Sequence, residues 1–278
     1  MTTAPDWLLG VWRRESMRYG DGREDLTTRV FWAQTRSLFV DIRIPAERPK
    51  FPGRHSLADF TLAELRGLAA QQGFAGHVDM RGKLCTWRRD IDYWPKSGRP
   101  DRGRLSLQGD VLTEDGEASS TIGISYREVY RRDRGGDRRI ALRLIDDKPA
   151  KPGARAMTDG ILVVLDDLFL FARPRSSPLL AGKSLPDLVA RAGRDRARIE
   201  ALLACEISMG RLGPARRPWR IALSTLPFRE GQRLLPHAAA SVGRRSKTLS
   251  LKSSAGESRW EIDETTYSIR ELKSLFSR

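Results

Sequence analysis

The sequence predicts an all-β protein with minor α, built as two tandem antiparallel β-barrels that each carry one helix. Three observations predict it. Segments near residue 40 recur, in order, about 130 residues further on. Short β-branched and aromatic runs alternate with turn signals along the chain. Each half also holds one serine-capped helix start. A chain of 278 residues accommodates two such units, placed at 1–133 and 134–278.

In the first half the candidate strands are Leu9–Met17, Thr27–Gln34, Leu38–Ile44, Gly76–Met80, Thr86–Tyr93, Arg104–Gln108, Val111–Glu114 and Tyr126–Arg131. Turns such as Tyr19-Gly20-Asp21-Gly22 and Asp115-Gly116 separate them. The second half offers Ile140–Ile145, Gly160–Leu165, Leu168–Ala172, Trp219–Ser224, Thr248–Leu251 and Ser258–Ile262. The helices are expected over Leu57–Gln72 and Leu185–Ala204. Ser56 precedes Asp59, and Ser184 precedes Asp187, the spacing of a capping box. The basic stretch Arg131–Arg139 reads as the junction and Lys148–Gly153 as a second loop.

The repeat fixes the correspondence between halves. Ser37–Arg43 leads through a proline-rich loop to Ser56, as Asp167–Arg173 leads through Pro174 to Ser184. Thr86-Trp87-Arg88 stands 132 residues before Pro218-Trp219-Arg220, and Pro95 stands 132 before Pro227. Leu105-Ser106-Leu107 is echoed by Leu249-Ser250-Leu251 after an insertion of 12. Shared order at a near-constant offset marks an internal duplication.

Composition excludes several classes. No run approaches the roughly 18 apolar residues of a membrane helix. Met1–Gly10 has neither the basic nor the apolar region of a secretory signal. Cys85 and Cys205 form no CxxC pair, so a reducing cytoplasm is the expected location. His55, His77 and His237 share no ligand-like spacing, and no metal or other cofactor is expected. No G-x-S-x-G elbow occurs, and Gly182-Lys183-Ser184 lacks the earlier glycine of a phosphate loop. Cys85 and Trp87 share a strand face, which makes Cys85 a buried structural thiol.

Gly10-Val11-Trp12 opens the first strand with a G-x-W spacing that resembles the lipocalin (calycin) barrels. The runs Trp12–Ser16, Val30–Trp32, Leu38–Arg43, Leu112–Gly116 and Tyr126–Tyr130 resemble the fungal casein-kinase-interacting β-barrel protein family and its bacterial relatives. The resemblance covers most of 7–131 and is looser over 160–228. It implies two lipocalin-like barrels in tandem and brings no catalytic residue.

Alternation along strands nominates the site. Leu38, Val40, Ile42 and Ile44 share one face, and Phe39, Asp41 and Arg43 the other. Trp87, Arg89, Ile91 and Tyr93 share one face, and Arg88, Asp90, Asp92 and Trp94 the other. Tyr126, Glu128 and Tyr130 lie together. The functional reading places Gln34, Asp41, Arg43, Asp92 and Glu128 in the first lumen with Trp12, Trp32 and Tyr93, as a ligand site. A self-satisfied arginine–carboxylate network, or a solvent face, explains the same pattern without a ligand.

The leading expectation is a binding protein for a small apolar ligand or a protein partner, with Arg43 and Asp41 or Glu128 orienting a polar end. A lipocalin-like cyclase or isomerase using barrel carboxylates is the enzymatic alternative. The third is nucleic-acid binding through the net charge of +15, although the arginine doublets are scattered. The densest basic stretches are Arg131–Arg139 and Arg244–Lys252.

Overall fold

A computed structural model describes residues 3–151, 156, 159–179, 181, 184–214, 218–243 and 245–277. The predicted loop Lys148–Gly153, the Gly182-Lys183 pair, the Arg216-Arg217 doublet and Arg244 lie partly or wholly outside these residues.

The first sheet contains β1 (Gly10–Tyr19), β2 (Glu24–Asp25), β3 (Arg29–Gln34), β4 (Phe39–Ile44), β5 (Gln72–Arg81), β6 (Leu84–Asp92), β7 (Asp101–Gln108), β8 (Val111–Gly116) and β9 (Tyr126–Arg134). All neighbours are antiparallel, and β9 returns to pair with β1 from Arg18↔Arg127 to Val11↔Arg134. Eight strands thus close a barrel, with the two-residue β2 as a flap on β1. Closure leaves no main strand with an unpaired edge.

The end of this barrel is shut by the G-x-W turn. A Cβ on Gly10 would stand 2.3 Å from the Arg134 carbonyl oxygen, and φ is +129° there, so only glycine fits. Trp12 is fully buried and its indole N–H donates to the Leu8 carbonyl at 2.8 Å. The Arg132 guanidinium lies 4.2 Å over the Trp12 ring and donates to the carbonyls of Leu9 and Trp7.

The second sheet contains β10 (Arg139–Pro149), β11 (Ile161–Leu165), β12 (Leu168–Arg173), β13 (Glu206–Arg211), β14 (Arg220–Ser224), β15 (Ala238–Gly243), β16 (Thr248–Ser253) and β17 (Gly256–Thr265). It follows the same meander, and β17 returns to β10. One seam differs: β6 pairs with β7 in the first sheet, whereas β14 and β15 do not pair. The second predicted barrel is therefore an open sheet. Its seam is filled by other groups. Residues 231–234 bond along β14, through Gly231 N–H to the Ile221 carbonyl and Leu234 N–H to the Trp219 carbonyl, both at 2.8 Å. The C-terminal helix α4 (Ile269–Phe276) covers β15, and the Ser277 hydroxyl accepts from the Ala240 N–H at 3.2 Å. Phe276 stacks on Trp219 at 5.1 Å.

The helices depart from the expected single helix per half. Ser56 caps a 3-10 turn, Leu57–Asp59, and Thr61 then caps the short α1 (Leu62–Leu68). Gln72, the last residue of the expected helix, opens strand β5 instead. In the second half α2 (Leu185–Ala192) stops at Gly193, whose φ of +61° ends the helix, and α3 (Arg196–Leu203) restarts on the Asp195 cap. Sequence reading missed α4, β2, β13 and β15. It also paired Leu105–Leu107 with Leu249–Leu251, but these fall on β7 and β16, the sixth and seventh strands of their meanders.

The two sheets meet along outer faces. Val40, Ile42 and Ile44 of β4 share a core with Ile161, Val163 and Leu165 of β11 and Leu168, Leu170 and Ala172 of β12. Each such side chain contributes about 1.5–3 kcal/mol on burial. Strands β11 and β12 are buried on both faces, which explains their unbroken apolar runs. Arginines finish the joint: Arg175 donates to the carbonyls of Leu202, Asp92 and Tyr93, and Arg48 to those of Gln71 (side chain) and Ser224.

Candidate functional site

The interiors of the two halves differ. That of the second holds Leu142, Val164, Phe169, Phe171, Trp219, Trp260 and Phe276 among others, and a smaller cavity of about 180 Å³ bordered by Phe171, Arg173, Glu206 and Trp260. That of the first is packed only at the G-x-W end. Above it lies a cavity of about 430 Å³. Such a volume falls in the range of small-molecule sites.

Aromatic side chains form much of its wall. Trp32 meets Trp87 edge-on at 5.6 Å and Tyr130 at 5.9 Å. Phe74, Trp94 and Tyr126 complete it, and Ile122 and Pro95 stand at the mouth.

Two β-bulges bring the charged groups to this wall. On β1 the register with β9 shifts between Arg14 and Ser16, so Trp12 and Arg14 point inward below the shift and Met17 and Tyr19 above it. On β6 the register with β5 shifts, with Gly76 opposite Arg89 and Ala75 opposite Ile91. A Cβ on Gly76 would lie 1.9 Å from the Arg88 carbonyl oxygen, so glycine permits the bulge. The shift places Trp87, Arg89, Asp92 and Trp94 on the cavity and turns Ile91 and Tyr93 outward. Simple alternation had put Arg89 with Ile91 and Tyr93.

The predicted residues divide accordingly. Trp32, Asp41, Arg43 and Asp92 line the cavity. Glu128 lies directly behind it, 1% exposed. Trp12 is in the barrel interior but belongs to the closed end. Gln34 is buried and accepts from the Trp32 indole N–H at 3.1 Å. Tyr93 is not in the lumen. It sits in the core between the sheets, its hydroxyl donating to the Leu68 carbonyl at 3.0 Å.

An ion network holds the polar wall. Arg14 donates to Glu128 at 2.6 Å and to Asp25. Arg43 donates to Asp41 at 2.8 Å and to Glu128 at 3.0 Å. Arg89 donates to Asp101 at 2.5 Å and to Asp92 at 3.2 Å, and lies 3.5 Å over the Phe74 ring. The Tyr130 hydroxyl donates to Glu128 at 2.6 Å. Burial pushes Glu128 toward its neutral form, but Arg43 and Arg14 outweigh it and hold the carboxyl below the usual range. Burial raises Asp41 and Asp92 despite their arginines.

Glu114 stands apart, and sequence reading did not select it. The Tyr126 hydroxyl donates to it at 2.7 Å, and no ion pair reaches it among the described residues. It is 3% exposed and lines the cavity. Burial, then the charges of Glu128 and Asp101, push its carboxyl well above the usual range. Space for the pair comes from Gly103 and Gly116, which face each other across β7 and β8. A Cβ on Gly116 would meet the Tyr126 ring at 2.0 Å, and one on Gly103 the Glu114 Cγ at 2.8 Å. The available sequence signal was Glu114 in phase with Leu112 and Gly116, opposite Glu128.

Cys85 is buried beside Trp87, and Cys205 is buried between the sheets; both thiols are free. No group of three or more metal-binding side chains occurs among the described residues. No helix among them is long and apolar enough to cross a membrane. Several arginines of the doublets are ion-paired, as Arg131 is with Glu15 and Arg138 with Glu271.

The fold and site define a closed antiparallel barrel with a hollow, aromatic and carboxylate-rich lumen, joined to an open sheet. No family model and no curated protein matches the chain. Two solved structures are similar to part of it. One is a lipocalin-like protein from Bacteroides uniformis, 16% identical, matching 46% of this chain and 99% of that one with a TM-score of 0.29. The other is an uncharacterized protein from Bacteroides eggerthii, 11% identical, matching 45% and 98% with a TM-score of 0.28. Neither carries the resemblance to casein-kinase-interacting proteins, which rests on the sequence runs alone.

Proposed function

We propose that the first barrel binds a small organic molecule, with an aromatic or apolar body against Trp32, Trp87 and Tyr126 and a polar end on the carboxylate-rich wall. The observation that carries this reading is the lumen of about 430 Å³ with its aromatic and carboxylate lining, against about 180 Å³ in the second half. An apolar body against the aromatic part of that lumen gains dispersion contacts with its lining. The strand order shared by the two sheets supports a duplicated unit, divided between Arg134 and Arg139, in which the first copy has the larger hollow.

The test is native mass spectrometry of the freshly purified full chain beside its denatured mass. A small added mass, lost on denaturation, is the expected result. A bare chain that also takes up no compound from a metabolite-sized library overturns the reading. The enzymatic alternative draws on one observation: Glu114 borders the cavity and burial pushes its carboxyl well above the usual range, the direction a general acid needs. Turnover of the ligand so found, lost in Glu114→Gln, is what that alternative requires.

A further inference from the structure

We propose that the polar end of this ligand is cationic, so that the lumen takes a small organic amine or quaternary ammonium with Glu114 as its counter-ion. The inference rests on the ligand-binding reading of the same cavity and adds the chemical class.

Charge balance is the first argument. The chain carries +15 overall, yet Arg14, Arg43 and Arg89 are the cations on the cavity, against Asp25, Asp41, Asp92, Asp101 and Glu114, with Glu128 behind them. A basic protein has gathered an acidic excess into one enclosed space. A low-dielectric enclosure strengthens whatever charge enters it.

The second argument is which groups are already engaged. Each arginine is held by two carboxylates: Arg14 by Glu128 and Asp25, Arg43 by Asp41 and Glu128, and Arg89 by Asp101 and Asp92. An entering anion would have to displace a carboxylate from its arginine. An entering cation meets Glu114, which has the Tyr126 hydroxyl at 2.7 Å and no ion-pair partner among the described residues. An ammonium there takes the place of the carboxyl proton, which leaves to solvent as the cation enters, and gains a charge-assisted hydrogen bond without breaking any existing ion pair.

The third argument is the aromatic wall. Trp32, Trp87 and Tyr126 border the same space as Glu114. Aromatic faces around a carboxylate are the chemistry that recognises ammonium groups. A metal ion is the less suited cation, because no cluster of three ligating side chains occurs among the described residues.

Three probes with one indole body separate the possibilities: tryptamine, tryptophol and indole-3-acetate, titrated calorimetrically into the full chain near neutral pH. The expected result is tryptamine binding at least about tenfold tighter than tryptophol, with indole-3-acetate weakest. In Glu114→Gln, which keeps a partner for Tyr126, the preference for tryptamine over tryptophol collapses toward unity, with the urea midpoint reporting that the variant is folded. Equal or tighter binding of tryptophol or indole-3-acetate overturns the cationic class and leaves the ligand reading standing. Undiminished tryptamine preference in Glu114→Gln overturns Glu114 as counter-ion. Binding of none of the three overturns the inference, while the reading beneath it stands or falls on the native mass and the library.

Discussion

The Tyr126 hydroxyl donates to the Glu114 carboxyl at 2.7 Å inside the barrel, across two neighbouring strands. The pair exists because Gly116 leaves the volume into which the Tyr126 ring lies. A buried acid whose hydrogen-bond partner is a phenol, and which has no ion-pair partner among the described residues, is costly when ionised.

Glu114 therefore makes stability fall as pH rises. Its carboxyl in the folded chain binds its proton more tightly than in the unfolded chain. The stabilisation is complete below the ordinary carboxylate range and is lost as pH climbs through the raised value. Tyr126, Glu128, Asp101 and Arg43 all act on this titration. Urea midpoints of wild type and Glu114→Gln, measured from about pH 4 to about pH 8, should diverge in favour of the variant at the upper end. Parallel profiles would contradict the raised value.

Arg43 is the central cation of the polar wall. Arg43→Ala leaves Asp41 and Glu128 facing each other in a buried site, with only Arg14 left on Glu128. Removing one partner of such a cluster costs about 3–5 kcal/mol. Chemical denaturation should show a loss of that size, smaller at acid pH where the carboxyls are protonated.

Gly76 sets the phase of β6. Gly76→Ala places a methyl against the Arg88 carbonyl oxygen, 1.9 Å away before relaxation. Overpacking of this kind costs about 1–3 kcal/mol. Relief requires the bulge to move, which also moves Arg89 and Asp92. Near-ultraviolet circular dichroism of the tryptophans lining the cavity should therefore change along with stability.

Much of the barrel was legible, because half-buried strands alternate and announce themselves. The eight strands that close the first barrel were all placed within a few residues, and only the two-residue β2 of that sheet was not foreseen. What alternation does not encode is a bulge. Each bulge inverts the phase after it, so Tyr93 left the predicted site and Arg89 joined it. The second half was read less well where its strands are atypical. Ala238–Gly243 is small and polar, and Glu206–Arg211 follows a helix without a turn signal. Helix α4 did carry its signal, Ser268 with Glu271 three residues on before Leu272, Leu275 and Phe276, and it went unread.

Phe276 fastens α4 over the open seam, buried against Trp219. Phe276→Ala should cost about 3–5 kcal/mol. Amide exchange should accelerate in β14 and β15 while β1 to β9 stay protected.

Glu271 ties the start of the same helix. The Ser268 hydroxyl and backbone N–H, and then Arg138, hold its carboxyl down to about 2. The contribution is present above the ordinary glutamate range and is lost as pH falls through that value. An NMR titration of the Glu271 side chain should give a midpoint far below the ordinary glutamate value.

Strand β4 has no side facing water. Phe39, Asp41 and Arg43 look into the first barrel, while Val40, Ile42 and Ile44 are locked into the joint with β11 and β12. This arc of the barrel is a fixed stator. On the opposite arc Pro95, Ser97, Thr121 and Ile122 of the connections 95–100 and 117–125 border the cavity outside the joint. The joint thus anchors one wall of the chamber and leaves the rim across from it to loops.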